Sequence, residues 1–120
     1  MHELSMAASI VDAVTESLAP YPGARVLEVR LRVGVLSALD EESLQFCWQL
    51  STEDSPLQGS RLTVKSLPIV MHCAVCAADR ELPGVQSLSC PVCGAPATDL
   101  RQGRELDIDS IEIEEAEVPQ

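Results

Sequence analysis

The first eighteen residues carry apolar side chains at helical spacing, with acidic residues between them. The apolar positions are Leu4, Ala7, Ala8, Val11, Val14 and Leu18. Side chains three or four residues apart lie on one face of a helix, and Pro20, Pro22 and Gly23 are residue types that end one. The pattern predicts an amphipathic helix from Leu4 to Leu18.

A strict alternation of apolar and other residues follows this helix. Leu27, Val29, Leu31, Val33 and Val35 are separated by Glu28, Arg30, Arg32 and Gly34. Successive side chains of a strand point to opposite faces, so a period of two predicts a β-strand with one buried face. The five apolar residues are expected to face the core.

A second helix is predicted to start after Asp40. The Asp40 carboxylate can accept hydrogen bonds from the free amides of a first turn, where Glu41 and Glu42 also suit the helix dipole. The buried face of this helix is expected to consist of Leu44, Cys47, Trp48 and Ser51. Cys47 is interpreted as a packing residue.

The residues after Pro56 and Gly59 predict another strand. Leu62 and Val64 alternate with polar residues there, and residues 69–71 can extend the strand towards the cysteines. The sheet is therefore expected to gain a second member before the cysteine region begins.

The final segment predicts a strand with an irregularity. Leu106 and Ile108 have one parity, whereas Ile111 and Ile113 have the other. All four can face one side only if a residue is added, so we expect a β-bulge or a break near residues 109–110. The acidic residues of this segment are interpreted as a solvated strand face and tail rather than a cation-collecting site.

Four cysteines form two Cys-x-x-Cys pairs, Cys73 with Cys76 and Cys90 with Cys93, with thirteen residues between the pairs. Two intervening residues let both sulfurs of a pair reach one ion at ~2.3 Å. This spacing is typical of a tetrahedral four-thiolate metal site.

The turn at the second cysteine pair is predicted to form more easily than the first. Pro91 fixes one φ angle, and Gly94 can adopt the left-handed conformation that turns backbone amides towards a thiolate. The first pair is followed by Ala77, which lacks the conformational freedom of glycine.

Disulfides are the alternative to a metal, and they would require a secreted chain. The N-terminus has no basic segment followed by a long apolar run, and no stretch approaches the ~20 apolar residues of a membrane helix. We therefore expect a cytoplasmic protein, not associated with membranes, whose cysteines bind zinc. A rubredoxin-like iron site is the less favoured alternative.

These elements predict an α/β fold in which two helices cover one face of a small three-stranded mixed sheet. Residues 70–98 are predicted to be a zinc-ribbon-like insert that divides the α/β unit into residues 1–69 and 99–120. The insert contains few apolar residues, chiefly Val75, Leu82, Val85, Leu88 and Val92. Metal binding is therefore expected to supply most of its folding free energy, on the order of 10 kcal/mol.

The charge of the chain excludes a class of partner. Its 120 residues include 19 acidic and 8 basic side chains, for a net charge of −11. Zinc ribbons that bind phosphates carry Lys and Arg around the metal, whereas Arg80 is the only such residue between Cys73 and Cys93. We therefore expect no nucleic-acid partner.

The N-terminus carries a second candidate metal site. The α-amine of Met1, the deprotonated amide nitrogen of His2 and its Nδ1 would form two fused chelate rings in one plane, with the Glu3 amide as a possible fourth donor. Ni²⁺ and Cu²⁺ accept this tetragonal arrangement, whereas Zn²⁺ has no such preference. The position of His2 alone is a weak signal, because many chains carry a histidine near the start without a role.

Three parts of the sequence together resemble the HypA/HybF family, nickel metallochaperones of [NiFe]-hydrogenase maturation. They are Met1-His2-Glu3-Leu4-Ser5-Met6, the paired cysteines, and Gly103-Arg104-Glu105-Leu106 leading into Ser110-Ile111-Glu112-Ile113-Glu114. The similarity spans essentially the whole chain. It implies that His2 binds nickel and that zinc is bound by Cys73, Cys76, Cys90 and Cys93.

The resemblance also implies the function and the partners. Members of the family take up Ni(II) at the N-terminal Met-His-Glu segment, hold structural Zn(II) with the cysteines, and work with the GTPase HypB to load the hydrogenase large subunit. We therefore expect a nickel carrier, monomeric or weakly dimeric, and not an enzyme. A zinc-ribbon adaptor and a rubredoxin-like electron carrier are the alternatives.

No catalytic constellation in the sequence competes with this interpretation. There is no phosphate-binding glycine loop, and four cysteines would leave zinc without an open coordination position. The only other histidine, His72, is interpreted as a residue at a strand end, with an alternate or outer-shell zinc ligand as the second possibility.

Overall fold

The computed structural model describes residues 2–116. In chain order the elements are α1 (His2–Ser17), β1 (Arg25–Gly34), a 3₁₀ helix (Val35–Ser37), α2 (Glu41–Ser51), β2 (Arg61–Leu67), β3 (Val70–Cys73), β4 (Ala78–Glu81), β5 (Leu100–Gln102) and β6 (Leu106–Glu114). β1 lies between β2 and β6 in one three-stranded sheet, and β3 lies between β4 and β5 in another. The predicted fold class, two helices with a small three-stranded sheet and a four-cysteine insert, is confirmed.

The chain divides into two compact units. Unit 2 comprises Arg32–Ala38 and Lys65–Asp107, and it contains all four paired cysteines. Unit 1 comprises the other described residues, including α1 and α2. The division into residues 1–69 plus 99–120 and an insert of 70–98 stays a prediction. Within residues 2–116, no helix combines the length and the apolar character needed to cross a membrane.

The two helices pack against each other in unit 1. The predicted face of α1 is confirmed in part, because Leu4 and Ala8 are exposed and Ile10 is buried instead. α1 starts at His2, two residues before the predicted start, and buries Ala7, Val11 and Val14. α2 buries Leu44 and Trp48. This packing fixes the first turn of α1 beside the start of α2.

The predicted cap of α2 is confirmed. The Asp40 Oδ1 accepts hydrogen bonds from the backbone amides of Glu42 and Ser43, at 3.1 and 3.5 Å. These amides have no acceptor within the helix, so the carboxylate satisfies two of the donors that every helix start leaves free. The cap is also the reason that the helix begins at Glu41.

The inward face of β1 differs from the predicted alternation at both ends. Leu27 is 41% exposed, whereas its neighbour Val26 is buried and donates its amide to the carbonyl of Pro56 at 2.9 Å. The buried parity therefore changes between Val26 and Val29, which the alternation in the sequence does not show. Val35 is 39% exposed because it begins the 3₁₀ helix.

β2 and β3 are separate strands, so the extension of one strand through residues 69–71 is wrong. Pro68 follows β2 directly, and proline has no amide to donate to a ladder. The Pro68 carbonyl instead accepts a hydrogen bond from the side chain of Gln102 at 2.9 Å. The chain leaves one sheet at Pro68 and enters the other at Val70.

β6 runs without a break, and its four apolar residues are not equally buried. Leu106 and Ile108 are 41% and 39% exposed, whereas Ile111 and Ile113 are half-buried. A break near residues 109–110 is therefore excluded, and a β-bulge there stays a prediction. The acidic Glu112 pairs with Arg30 of β1 at 3.2 Å.

Unit 2 has a small core in which cysteines replace larger apolar side chains. Its fully buried members are Ile69, Met71, Cys73, Leu82 and Cys90. Of the residues expected to provide apolar material, only Leu82 is buried, and Val75, Val85, Leu88 and Val92 are 43 to 74% exposed. The core is thus even poorer in apolar side chains than the sequence indicates.

Gly34 lies against the backbone of Gly103 within unit 2. A Cβ at Gly34 would lie 2.1 Å from both the carbonyl carbon and the oxygen of Gly103. Backbone atoms cannot rotate away, so Gly34→Ala is expected to lower the free energy of unfolding by about 3 kcal/mol. Urea unfolding measures this change. Gly84→Ala is the control, because a Cβ there has no atom within 4 Å, and equal stability of the two variants would contradict the prediction.

Candidate metal centre

Each cysteine pair lies at a turn that the local backbone holds in place. Cys73 is the last residue of β3, and the Cys76 amide donates to its sulfur at 3.4 Å. Cys90 donates its amide to the carbonyl of Ala95 at 2.7 Å, and the Gly94 amide returns to the Cys90 carbonyl at 2.9 Å. Backbone hydrogen bonds therefore hold both turns in place without a metal ion.

The four sulfurs converge on one point. All of them lie within 4.8 Å of one another, with Cys73 and Cys93 at 3.5 Å and Cys76 and Cys90 at 3.8 Å. A tetrahedral zinc site with ~2.3 Å bonds has sulfurs about 3.8 Å apart. All four cysteines are free, and these separations are too long for disulfide bonds, which are ~2.05 Å. The cluster is consistent with a zinc site.

The two turns share one backbone feature, which corrects the expectation for the first pair. Gly94 has φ +79°, as predicted, and Ala77 also has a positive φ, of +55°. The first turn therefore adopts the left-handed conformation without a glycine, at a cost of about 1 kcal/mol. The sequence comparison of Ala77 with Gly94 predicted a difference in ease of folding and missed that the geometry is the same.

Charge repulsion within the cluster favours a cation. The pKa of Cys90 is lowered to about 6, chiefly by the amide of Cys93 against the effect of burial, with a further contribution from the Val92 amide. The pKa of Cys93 is raised to about 12: the Ala95 amide lowers it, but Cys73, burial and the other thiols together raise it more. One thiolate thus prevents the ionisation of its neighbours. A divalent cation among the sulfurs removes this conflict.

His72 does not point into the cysteine cluster. It is paired with Asp79 across β3 and β4, and its Nδ1 lies 2.8 Å from the Asp79 carboxylate. Side chains alternate along a strand, so His72 and its neighbour Cys73 leave β3 on opposite faces. The interpretation of His72 as a strand-end residue accounts for these contacts without a metal.

The second predicted site lies at the start of α1. His2 is the first residue of this helix and is exposed. The first amides of a helix have no intrahelical acceptor, so the amides of His2 and Glu3 are free of the helical ladder. The Glu3 carboxylate accepts a hydrogen bond from the amide of Asp40 at 3.4 Å. Met1 lies outside the described residues.

Two neighbours of the candidate sites were missed by reasoning from the sequence. Asp40 lies beside the first turn of α1 although 37 positions separate it from Glu3, and only the packing of the helices brings them together. Arg80 lies beside the cysteines Cys76 and Cys90. Its signal in the sequence was its isolation as the one cation of the cysteine region, which was used only to exclude nucleic acid.

Comparison with known proteins identifies the family. Residues 1–113 match the family described as "Hydrogenase/urease nickel incorporation, metallochaperone, hypA". The hydrogenase maturation factor HypA of Desulfosudis oleivorans is 37% identical over 116 residues, which cover 96% of this chain and all of that protein. The chain belongs to the HypA family. HypA of Streptomyces avermitilis is 38% identical over 117 residues, covering 96% of this chain and 88% of that protein.

Solved structures of HypA have the same fold. The solution structure of the Ni metallochaperone HypA from Helicobacter pylori superimposes with a TM-score of 0.61 at 21% identity, over 92% of this chain and 96% of that one. A second HypA solution structure gives a TM-score of 0.65 at 23% identity, over 94% and 96%. Membership of the HypA family makes this protein a metallochaperone for nickel incorporation during hydrogenase maturation.

Proposed function

We propose that this protein binds Ni(II) at its N-terminus through the Met1 amine and His2, and delivers it to [NiFe]-hydrogenase during maturation. In this proposal Zn(II) is structural and is bound by Cys73, Cys76, Cys90 and Cys93. The protein acts as a cytoplasmic carrier and not as an enzyme. It works with a HypB-type GTPase to load the hydrogenase large subunit.

The observation that carries the nickel site is the exposed position of His2 on the first turn of α1. A square-planar chelate needs backbone amide nitrogens that are not engaged in hydrogen bonds, and the first turn of a helix is where such amides occur. The exposure of His2 also suits a cargo that must leave. A buried site would hold nickel but would hinder its transfer.

The zinc assignment is supported by the donor set. Four thiolates fill every position of a tetrahedral ion, so no position remains for water or substrate. Cys73 and Cys90 are 1% and 2% exposed, whereas Cys76 is half-buried and Cys93 is exposed, so retention of this ion depends on its four sulfur bonds as well as on burial. One protected ion and one accessible ion are what a carrier requires.

The nickel proposal predicts the effect of His2→Ala. This variant is expected to lose nickel affinity by about 100-fold or more, because it removes one of the chelate nitrogens, while the fold stays intact at an exposed chain end. Calorimetric titration of Ni²⁺ into zinc-loaded protein with a free Met1 amine measures the change. His72→Gln is the matched control, since it removes the only other histidine.

A second arm tests the chelate itself. Residues added before Met1 remove the free amine from that position and should weaken nickel binding while His2 is retained. Unchanged affinity in His2→Ala would overturn the N-terminal site. Unchanged affinity in the extended chain would mean that the imidazole acts without the amine. A zinc-ribbon adaptor would bind no nickel in either form, and a rubredoxin-like carrier would purify with a coloured iron centre.

A further inference from the structure

The alternation of β3 and β4 places the single cation of the cysteine region on the cysteine side. In the antiparallel register, Met71 is opposite Arg80 and Cys73 is opposite Ala78. Residues opposite each other share a face, as do residues two apart along a strand. Arg80 therefore leaves the sheet on the same face as Met71 and Cys73.

The acidic residues of β4 leave the sheet on the other face. Asp79 is opposite His72, and Glu81 is opposite Val70. Both acidic residues are exposed, whereas Arg80 between them is half-buried. The strand thus directs its negative charges to solvent and its one positive charge towards the cluster of thiols.

Arg80 lacks the partner that a half-buried arginine usually has. Among residues 2–116 it forms no ion pair with a carboxylate. Its Nε is fully buried and has no hydrogen-bond partner within this part of the chain. A buried guanidinium nitrogen requires compensation by negative charge or by acceptors. Among the residues on its side of the sheet, Met71 and Cys73 offer sulfurs.

The electrostatics of Arg80 agree with this placement. Its pKa is raised, first by hydrogen bonding to Cys76 and then, against the effect of burial, by the charge of Cys76 and by Cys90. These two cysteines come from different turns of the cluster. One guanidinium can contact both because its donors form a planar fork.

We infer that Arg80 is a positioning residue of the four-cysteine centre, where its guanidinium donates hydrogen bonds to the sulfurs of Cys76 and Cys90 and offsets the negative charge of a zinc tetrathiolate. This inference rests on the proposed zinc site. Four thiolates and one Zn²⁺ carry a net charge of −2, in a chain that is already strongly acidic. The cation stabilises the charged, zinc-bound state against protonation and loss of the ion.

The inference predicts a specific loss of zinc affinity in Arg80→Met. Methionine keeps an unbranched apolar side chain but removes the charge and all donors, and loss of an outer-shell partner typically weakens metal binding by about 10- to 100-fold. Competition with a chromogenic chelator, on the full chain, measures zinc affinity. Arg80→Lys, which keeps the charge without the planar fork, is expected to give a smaller loss.

Arg101→Met is the matched control. Arg101 lies on β5 of the same sheet, but it is exposed and pairs with the Asp99 carboxylate at 2.9 Å. Its removal should leave zinc affinity unchanged. Wild-type affinity in Arg80→Met would overturn the inference, and an equal loss in Arg101→Met would show an effect of net charge alone.

A spectroscopic measurement separates hydrogen bonding from packing. Cobalt(II) in place of zinc gives sulfur-to-metal charge-transfer bands, and loss of N–H···S bonds should move these bands to lower energy in Arg80→Met. Unchanged bands would overturn the proposed contact. If Arg80→Met fails to fold, Arg80→Gln replaces it, with the same expected losses and the same overturning result. Wild-type protein that binds no zinc would instead refute the zinc site itself.

Discussion

Cys90→Ser is expected to release zinc and to unfold the cysteine region, while α1 and α2 stay folded. Cys90 provides one sulfur of the cluster and is also a fully buried member of the unit 2 core. Structural zinc contributes on the order of 10 kcal/mol to the folding of small domains, and serine is a poor ligand for it. The apolar side chains of this core, chiefly Ile69, Met71 and Leu82, are too few to replace that contribution.

Metal analysis and amide hydrogen exchange of the full chain measure the two parts of this prediction. The zinc content should fall well below one ion per chain. The amides of residues 70–98 should lose their protection from hydrogen exchange. Cys47→Ser is the matched control, because Cys47 is half-buried on α2 and does not belong to the cluster. Persistent protection of residues 70–98 without metal would show that the apolar core of unit 2 folds by itself.

The parts of the fold that the sequence predicts well are those with strong local signals. The helical stripe of α1 and the Asp40 cap of α2 depend on residues that interact within one or two turns. Two Cys-x-x-Cys pairs likewise give the four-sulfur cluster, because the spacing leaves few other arrangements. In these places, the interactions that determine the structure lie within a short stretch of the sequence.

The parts that were missed depend on long-range packing. β4 and β5 are short, polar strands whose pairing with β3 defines them, and no alternation over three or four residues is long enough to signal a strand. The exposure of Leu27, beside the buried Val26 at the start of β1, is likewise not signalled by residue type. Ala77 has a left-handed backbone because the metal turn requires it, although alanine does not favour it.

The two candidate metal sites differ in the features that control ion exchange. The cysteines are held by backbone hydrogen bonds, two of them are fully buried, and all four ligand positions are provided by the chain. In the first turn of α1, His2 is exposed. The carboxylate of the next residue, Glu3, accepts a long hydrogen bond from the amide of Asp40, at 3.4 Å. In the function we propose, the cysteine cluster retains its ion and the first turn of α1 exchanges its ion.

This difference predicts that acidification discharges nickel before zinc. The proposed nickel chelate requires a neutral imidazole, an ionised amide and a free α-amine, which is largely protonated at neutral pH in peptides. Binding then releases at least two protons, so nickel affinity should fall by a factor of at least about 10,000 between about pH 7.5 and about pH 5.5. At the proposed zinc site, the amide of Cys93 lowers the pKa of Cys90 to about 6 against the effect of burial, which disfavours protonation of that sulfur.

The binding free energy of structural zinc in four-ligand sites is about 10 to 16 kcal/mol near neutral pH, which opposes its release by protons. The Ala95 amide lowers the pKa of Cys93, but hydrogen bonds with Cys73 and the other thiols, together with burial, raise it to about 12. A divalent cation among the sulfurs is expected to reverse this rise. Nickel and zinc contents of one sample, measured after equilibration at successively lower pH, test the order of release. The same measurement on His2→Ala protein gives the pH dependence of zinc release in the absence of bound nickel. Zinc that leaves before nickel would reverse the assignment, and the cysteine cluster would then be the site of delivery.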